Sequence, residues 1–317
     1  MEAPAPSSGI AAEALAGLTA EPKTLPAKLF YDEAGCRLFL AITELPEYYL
    51  TRTERALLQT HAQEIAALIP EGVTFVEFGA GNEEKALLLL DALAGVARPV
   101  RCYLPIDIAE AALCALADRL KRSRPELAVL PQTADFLRPH PLPPEAKGPF
   151  FGFFPGSTIG NLEPEPAVAF LRGVREAFGA GQLFLIGFDL RKQEEVLLAA
   201  YNDSAGLTAA FNRNLLARLN REAGANFMID CFAHRAIWNA AESRIEMHLV
   251  SLIAQKVQIA GREILFRAGE TIHTENCYKY TLAGFTALAE RAGWEIFRFW
   301  TDPDAMFALA LLRNGPA

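Results

Sequence analysis

Between residues 54 and 68 the apolar side chains Ala56, Leu57, Leu58, Ile65, Ala66 and Leu68 recur at helical spacing, and Pro70-Glu71-Gly72 ends the run. The rhythm then changes. Val73 to Phe78 reads as a buried strand, 84–94 as a helix, 101–106 as a strand, 109–121 as a helix and 127–130 as a strand. Phe150 to Phe154 continues the series as a strand, 164–178 as a helix opened by Pro164, and Gln182 to Phe188 as an apolar strand. Strands alternating with helices predict an α/β fold with a doubly wound, Rossmann-like parallel sheet. Residues 192–222 depart from this, reading as Asn-rich helices, and 226–270 read as antiparallel strands that include 244–254 and 255–266. After Glu275 the alternation resumes with a helix at 281–292 and strands at 294–300 and 306–312.

The departure predicts an α+β lobe inserted before the last elements of the sheet. Residues 1–22, rich in Ala, Pro and Ser, read as a flexible N-terminal arm. Between Lys28 and Thr53 the chain carries Phe30, Tyr31, Phe39, Tyr48 and Tyr49, more aromatic surface than so short a stretch can bury alone. Residues 23–53 are therefore assigned with 191–279 to the inserted lobe, and 54–190 with 280–317 to the sheet domain. No internal repeat is present.

Composition narrows the function classes. Hydrophobic residues make up 51% and charged residues 21% of the 317 positions, which suits a chain that folds on its own. A net charge of −8 argues against nucleic acid as a partner, because phosphate binding needs a basic face. The short basic run Lys121-Arg122-Ser123-Arg124 reads as a helix end before Pro125. Five cysteines, Cys36, Cys102, Cys114, Cys231 and Cys277, form no close pair, so neither a disulfide framework nor a zinc cluster is suggested. Met1 to Ala20 lacks a cationic segment followed by an apolar core, and no apolar run of ~18 residues occurs. The expectation is a soluble cytoplasmic monomer with no membrane partner.

The first candidate chemistry is the turn after the first strand, Val76-Glu77-Phe78-Gly79-Ala80-Gly81-Asn82. Glycines there let the backbone approach a ligand closely, but nicotinamide-binding proteins share a G-x-G pair. At dinucleotide spacing the third glycine is replaced by Glu84, next to Glu83, where a pyrophosphate needs a bare helix N-terminus. S-adenosylmethionine carries a sulfonium cation and no phosphate, so acidic neighbours suit it. Asp107 ends the second strand, where a carboxylate accepts ribose hydroxyl hydrogens, and Asp135-Phe136 after the third suits adenine's amino group and ring face.

Four further segments carry a resemblance. They are Leu29-Phe30-Tyr31-Asp32, Leu45-Pro46-Glu47-Tyr48-Tyr49-Leu50-Thr51-Arg52-Thr53-Glu54, Gly156-Ser157-Thr158-Ile159-Gly160-Asn161 and Ile272-His273-Thr274-Glu275-Asn276-Cys277-Tyr278-Lys279-Tyr280. With them the chain resembles, over roughly residues 23–314, the histidine Nα-methyltransferases of ergothioneine biosynthesis, which trimethylate L-histidine to hercynine with S-adenosylmethionine. The resemblance implies cofactor contacts from Gly79, Lys85, Asp107, Asp135 and Phe136, with Gly81 in the same turn. It implies Tyr48, Asn161 and Tyr201 around the substrate carboxylate, Tyr31 and Gly156 near the amine, Glu275 and Cys277 at the imidazole, and Phe39 and Met247 lining the pocket. Tyr31, Gly156 and Asn161 are the candidate catalytic residues. The family commonly has Ser where this chain has Cys277, a weaker hydrogen-bond partner.

These residue types suit methyl transfer from a sulfonium to an amine, an in-line displacement that chiefly requires alignment. S-adenosylmethionine is the expected cofactor and S-adenosylhomocysteine its product. No metal is expected, and His234 and His248 are read as standing alone. Two other readings remain: the same fold acting on another amino acid such as tryptophan, and a noncatalytic S-adenosylmethionine-binding protein.

Overall fold

In the computed structural model, which describes residues 8–81, 83–138 and 141–315, the first elements are helix α1 (Ser8–Leu18) and strand β1 (Lys23–Thr24). A flexible arm is thus not what residues 8–18 form. Ala11, Ala14 and Leu18 are buried at helical spacing, and the alanines that suggested a loose arm are the best helix formers. Residues 1–7 lie outside the described residues. Helix α2 (Glu33–Thr43) follows, its first turn capped by Asp32, whose Oδ1 accepts the Gly35 N–H at 2.7 Å. Helix α3 (Tyr49–Leu68) begins earlier than the apolar run from residue 54 implied.

The alternating section comprises β2 (Thr74–Phe78), α4 (Glu84–Gly95), β3 (Cys102–Asp107), α5 (Glu110–Ser123), β4 (Gln132–Thr133), β5 (Phe150–Phe154), α6 (Pro164–Phe178) and β6 (Leu183–Asp189). The strand expected at 127–130 is not formed. Val129 makes a single bridge to Tyr103, Pro131 beyond it has no N–H to continue, and the strand paired with β3 is β4. Beyond β6 come α7 (Glu194–Tyr201), α8 (Leu207–Glu222), β7 (Phe232–Asn239), β8 (Arg244–Ser251), β9 (Gln255–Ile259), β10 (Arg262–Phe266) and β11 (Thr271–Tyr278). The single strand expected over 255–266 is a hairpin, because Ala260 and Gly261 both take positive φ, 47° and 78°, and reverse the chain. Helix α9 (Leu282–Arg291) and strands β12 (Glu295–Thr301) and β13 (Phe307–Arg313) complete the chain.

Two units result: Met1–Tyr49 with Lys192–Cys277, and Leu50–Arg191 with Tyr278–Ala317. The first holds a four-stranded sheet in the order β1-β11-β8-β7, and the separate β9-β10 hairpin. The second is a seven-stranded sheet in the order β12-β13-β6-β5-β2-β3-β4, with β2 to β6 parallel and β13 antiparallel to both β6 and β12. This is the doubly wound, Rossmann-like arrangement. Its core is aromatic: Phe78, Phe154, Phe170, Phe178, Phe184, Phe188 and Trp294 are all buried in one cluster. The Trp294 indole N–H is satisfied by the Leu171 carbonyl at 2.8 Å.

The second unit rejoins itself at a short joint. Leu190 and Tyr280 form a parallel bridge, the Tyr280 N–H donates to Asp189 O at 3.0 Å, and the Arg191 N–H to Tyr280 O at 2.9 Å. Beside them Lys279 Nζ lies 2.9 Å from Asp189 Oδ2, both side chains fully buried. The Asp189 N–H donates to Ser157 Oγ at 3.0 Å, tying the joint to the loop after β5.

Two glycines test the packing. A Cβ on Gly152 in β5 would fall 2.6 Å from Phe184 Cδ2 and 2.8 Å from Phe178 Cε2, whereas one on Gly173 in α6 meets nothing within 4 Å. Gly152→Ala is expected to cost about 1–3 kcal/mol by overpacking, and Gly173→Ala to stabilise by about 0.5–1 kcal/mol by removing a mid-helix glycine. Chemical denaturation of the two variants beside the parent chain checks both signs.

Candidate active site

In the second unit β2 is followed in sequence by β3 on one side, and β5 pairs on its other side, so the carboxyl ends of β2 and β5 form the switch point where ligands of open α/β sheets bind. Gly79 leaves β2 with φ of 76°, its N–H on Ile106 O at 2.8 Å. A Cβ at this position would approach Phe136 Cε1 to 3.9 Å, so the glycine turn and the aromatic ring border the same space. Gly81 has no neighbour within 4 Å of a would-be Cβ, and Asn82 lies outside the described residues. Phe136 stands edge-on to Phe154 at 5.5 Å, Phe170 at 5.6 Å and Phe78 at 6.3 Å.

Asp107 ends β3, as expected, and its Oδ1 accepts the Ala109 N–H at 2.8 Å. Burial pushes its carboxyl up from the ordinary aspartate range, while the Ala109 and Ile108 N–H groups pull the other way. Asp135 accepts the Leu137 N–H at 3.1 Å and pairs with Arg138 at 3.4 Å, so part of its carboxylate shapes its own turn. At the start of α4, Glu83 takes Arg119 through two hydrogen bonds of 2.6 Å. Carboxylates at Glu83 and Glu84 stand where a pyrophosphate would need bare N–H groups, which fits a nucleoside without phosphates.

Lys85 points back to Glu54 on α3 and forms an ion pair with it. Both Glu54 oxygens also accept the Gly156 N–H, at 3.0 and 2.9 Å, in the loop after β5. Glu54 had no role assigned from the sequence, although it ends the Leu45–Glu54 segment of the resemblance and opens an apolar helical run. Gly156 takes φ of 79° and Ser157 of 57°, and the turn Thr158–Asn161 places Asn161 just before α6. Glu77, inside β2, is fully buried and accepts a hydrogen bond from the Tyr103 hydroxyl. Burial pushes its carboxyl up to about 8, aided by the charges of Asp107 and Glu54 and opposed by Tyr103 and Lys85.

The first unit gathers the aromatic residues read from the sequence. Tyr31 meets Phe39 edge-on at 5.9 Å, Phe39 meets Tyr48 at 6.3 Å, and Tyr48 meets Tyr201 at 6.2 Å. The Tyr201 hydroxyl lies 2.7 Å from Cys277 Sγ, so two residues expected at different ends of the substrate are neighbours. Phe211 on α8, not foreseen, backs the row, stacking on Phe30 at 4.5 Å and touching Tyr31 at 5.9 Å and Phe39 at 6.0 Å. Glu275 and Cys277 are buried on β11 and Met247 on the adjacent β8, whose carbonyl accepts the Thr274 hydroxyl at 3.0 Å.

The histidines do not stand alone. His234 Nε2 donates to Tyr201 O at 2.8 Å while its Nδ1 accepts from Asn212 Nδ2 at 2.9 Å, which defines a neutral ring, and burial lowers its pKa. Asn212 also donates to His248 O at 3.1 Å and accepts from Thr274 Oγ1 at 2.8 Å, so it is a hidden hub behind Tyr201. His248 stacks on His273 at 4.7 Å, and with Glu246 their ligand atoms lie within 4.8 Å of one another. The two ring planes differ by 23°, so their in-plane lone pairs run side by side rather than converging. Glu246 is committed to Arg244 at 2.8 Å, Asn239 at 2.9 Å and His248 at 3.1 Å.

The Glu77 environment makes stability depend on pH. Its folded-state pKa of about 8 lies above the ordinary glutamate value of 4.5, so the folded form holds a proton that the unfolded chain releases, and stability falls as pH rises across that window. Glu77→Gln is expected to flatten the decline in thermal midpoint between pH 5 and 8; parallel declines in the two proteins would assign it to another group.

Comparison with known proteins shows the family. Residues 10–314 match the family model described as histidine-specific methyltransferase, SAM-dependent. The chain is 42% identical over 308 residues to a histidine N-alpha-methyltransferase of Mycolicibacterium smegmatis, covering 95% of each chain. It is 39% identical over 297 residues to a histidine N-alpha-methyltransferase of Mycobacterium tuberculosis, covering 93% of this chain and 92% of that one. In fold it is similar to an S-adenosylmethionine-dependent methyltransferase from Clostridium acetobutylicum, with TM-score 0.51 at 9% identity over 88% of this chain and 99% of that one. The chain therefore belongs to the S-adenosylmethionine-dependent, histidine-specific methyltransferases.

Proposed function

We propose that the protein transfers methyl groups from S-adenosylmethionine to the α-amino group of L-histidine, three times in succession, to give hercynine for ergothioneine biosynthesis. The observation that carries this reading is family membership that runs through both units, from residue 10 to residue 314. The cofactor supplies the electrophilic methyl group. In the second unit, Gly79 and Gly81 give backbone access, Asp107 accepts from the ribose, Asp135 and Phe136 take the adenine, and Lys85 is a further cofactor contact. Gly156 is assigned to the amine and Asn161 to the substrate carboxylate. In the first unit, Tyr48 and Tyr201 are assigned to that carboxylate, Tyr31 to the amine, Glu275 and Cys277 to the imidazole, and Phe39 and Met247 to the pocket wall.

The chemistry asks these groups mainly to orient a neutral amine lone pair toward the methyl carbon. Phenol hydroxyls carried on rings that pack edge to edge are directional donors with little freedom to lose. A carboxylate at Glu275 favours an imidazole over an indole, because it pairs with an N–H and stabilises the cationic ring. The reading extends to a monomer acting without a metal in the cytoplasm, where the five cysteines, none of them in a disulfide, stay as thiols.

Mass spectrometry of L-histidine incubated with the protein and S-adenosylmethionine is expected to show mono-, di- and trimethylated product, with tryptophan and other amino acids unchanged. Methylation of tryptophan in preference would overturn the substrate assignment, and binding without turnover of any amino acid would overturn the enzymatic one. Glu275→Ala is expected to raise the KM for histidine roughly 10- to 100-fold by removing a charge-assisted hydrogen bond of ~1.5–3 kcal/mol, leaving the cofactor KM near its parent value. Asp107→Ala is expected to show the opposite split, and a reversed pattern in steady-state kinetics means the two sites are exchanged.

A further inference from the structure

We propose that Glu54 is a positioning residue for the cofactor, acting through Lys85 rather than by touching the ligand, with the Gly156 N–H holding the carboxylate in place. The proposal rests on the assignment of Lys85 to the cofactor made above. The Glu54 side chain is fully buried, and one carboxylate serves two elements at the carboxyl edge of the sheet. Its Oε2 pairs with the Lys85 ammonium from the first turn of α4, and both oxygens accept the Gly156 N–H at 3.0 and 2.9 Å.

The fold makes room for this carboxylate. A Cβ on Gly187, in the middle of β6, would fall 1.9 Å from Glu54 Oε1, so β6 carries its one glycine where the acid lies against the strand. A Cβ on Gly156 would lie 3.9 Å from Lys85 Nζ, which places the ammonium beside the loop whose N–H the same acid holds. Lysine is a point charge on a flexible four-carbon stem, and its direction must be imposed by a partner. Lys85 is 16% exposed at the side chain, and Glu54 is its recorded ion-pair partner among the described residues. An ammonium has three donors, so holding one on Glu54 leaves the others aimed from a fixed point.

A carboxylate that merely fills the core and one that positions Lys85 differ in how substitutions combine. If Glu54 acts through Lys85, then once Lys85 is gone the loss of Glu54 has nothing left to misplace. The experiment is calorimetric titration of S-adenosylhomocysteine into the parent protein, Glu54→Gln, Lys85→Met and the double variant, each checked for a cooperative thermal transition. Each single substitution is expected to raise the Kd roughly tenfold, and the double variant is expected to bind no more weakly than Lys85→Met alone. Losses that multiply in the double variant overturn the proposal, as does a Glu54→Gln protein that binds like the parent. If Lys85→Met alone binds like the parent, it is the Lys85 assignment that fails, and the proposal with it. Should Glu54→Gln not fold, the same cycle is run with Glu54→Asp, which keeps the charge but shortens its reach; multiplied losses there overturn the proposal equally.

Discussion

The buried pair of Lys279 and Asp189 closes the sheet unit over the long excursion between β6 and α9. A sheet can tolerate a large insertion only if the two ends of the insertion are brought together, since the entropy of closing the intervening chain must be met by contacts at the neck. Here the neck is three residues deep: the Leu190-Tyr280 bridge, two backbone hydrogen bonds, and an ion pair without access to water. A buried ion pair is weak evidence of net stability but demands its own partner, so it selects one way of rejoining the strands. The Asp189 N–H also reaches Ser157, so the neck and the loop that carries Gly156 and Asn161 are set by the same few bonds.

Much of the sheet unit was readable because its elements obey one rule at a time. Continuous apolar runs such as Leu183–Asp189 mark strands buried on both faces, and Pro164 marks the start of its helix. Reading failed where a local rule was overruled. The apolar stretch at 127–130 has strand composition, but it pairs with β3 only through the Val129 bridge, Pro131 beyond it has no N–H to continue, and the paired strand is Gln132-Thr133. Ala260 has no turn propensity to advertise, yet it takes the left-handed conformation because Gly261 beside it completes a two-residue reversal. Helix α1 is the opposite case: its Ala-rich composition resembles a loose arm, whereas Ala11, Ala14 and Leu18 at helical spacing bury one face.

The candidate site divides in the same manner. Gly79, Asp107 and Phe136 follow strands, and their place in the alternation pointed to them before any coordinates. The contacts that hold the candidate groups in place join residues far apart in sequence. Glu54 serves Gly156 from 102 positions away, and Asn212 reaches Thr274 across 62. Pattern reading sees periodicity along a chain, whereas such supports are defined by convergence in space. His234 illustrates the point: an isolated histidine in sequence is, in the fold, a neutral ring whose two nitrogens are fixed by Asn212 and the Tyr201 carbonyl.

Phe136 packs edge-on against three other phenylalanines. A ring so held cannot turn about its bonds without moving Phe78, Phe154 or Phe170, each of which belongs to the core of the sheet. On the proposed assignment of Phe136 to adenine, the entropy of fixing the surface that covers the base is spent when the protein folds and is not charged again at each binding event. The nucleoside end of the proposed site would then be part of the hydrophobic core turned outward, where a change that loosens the interior would be felt as a less discriminating grip.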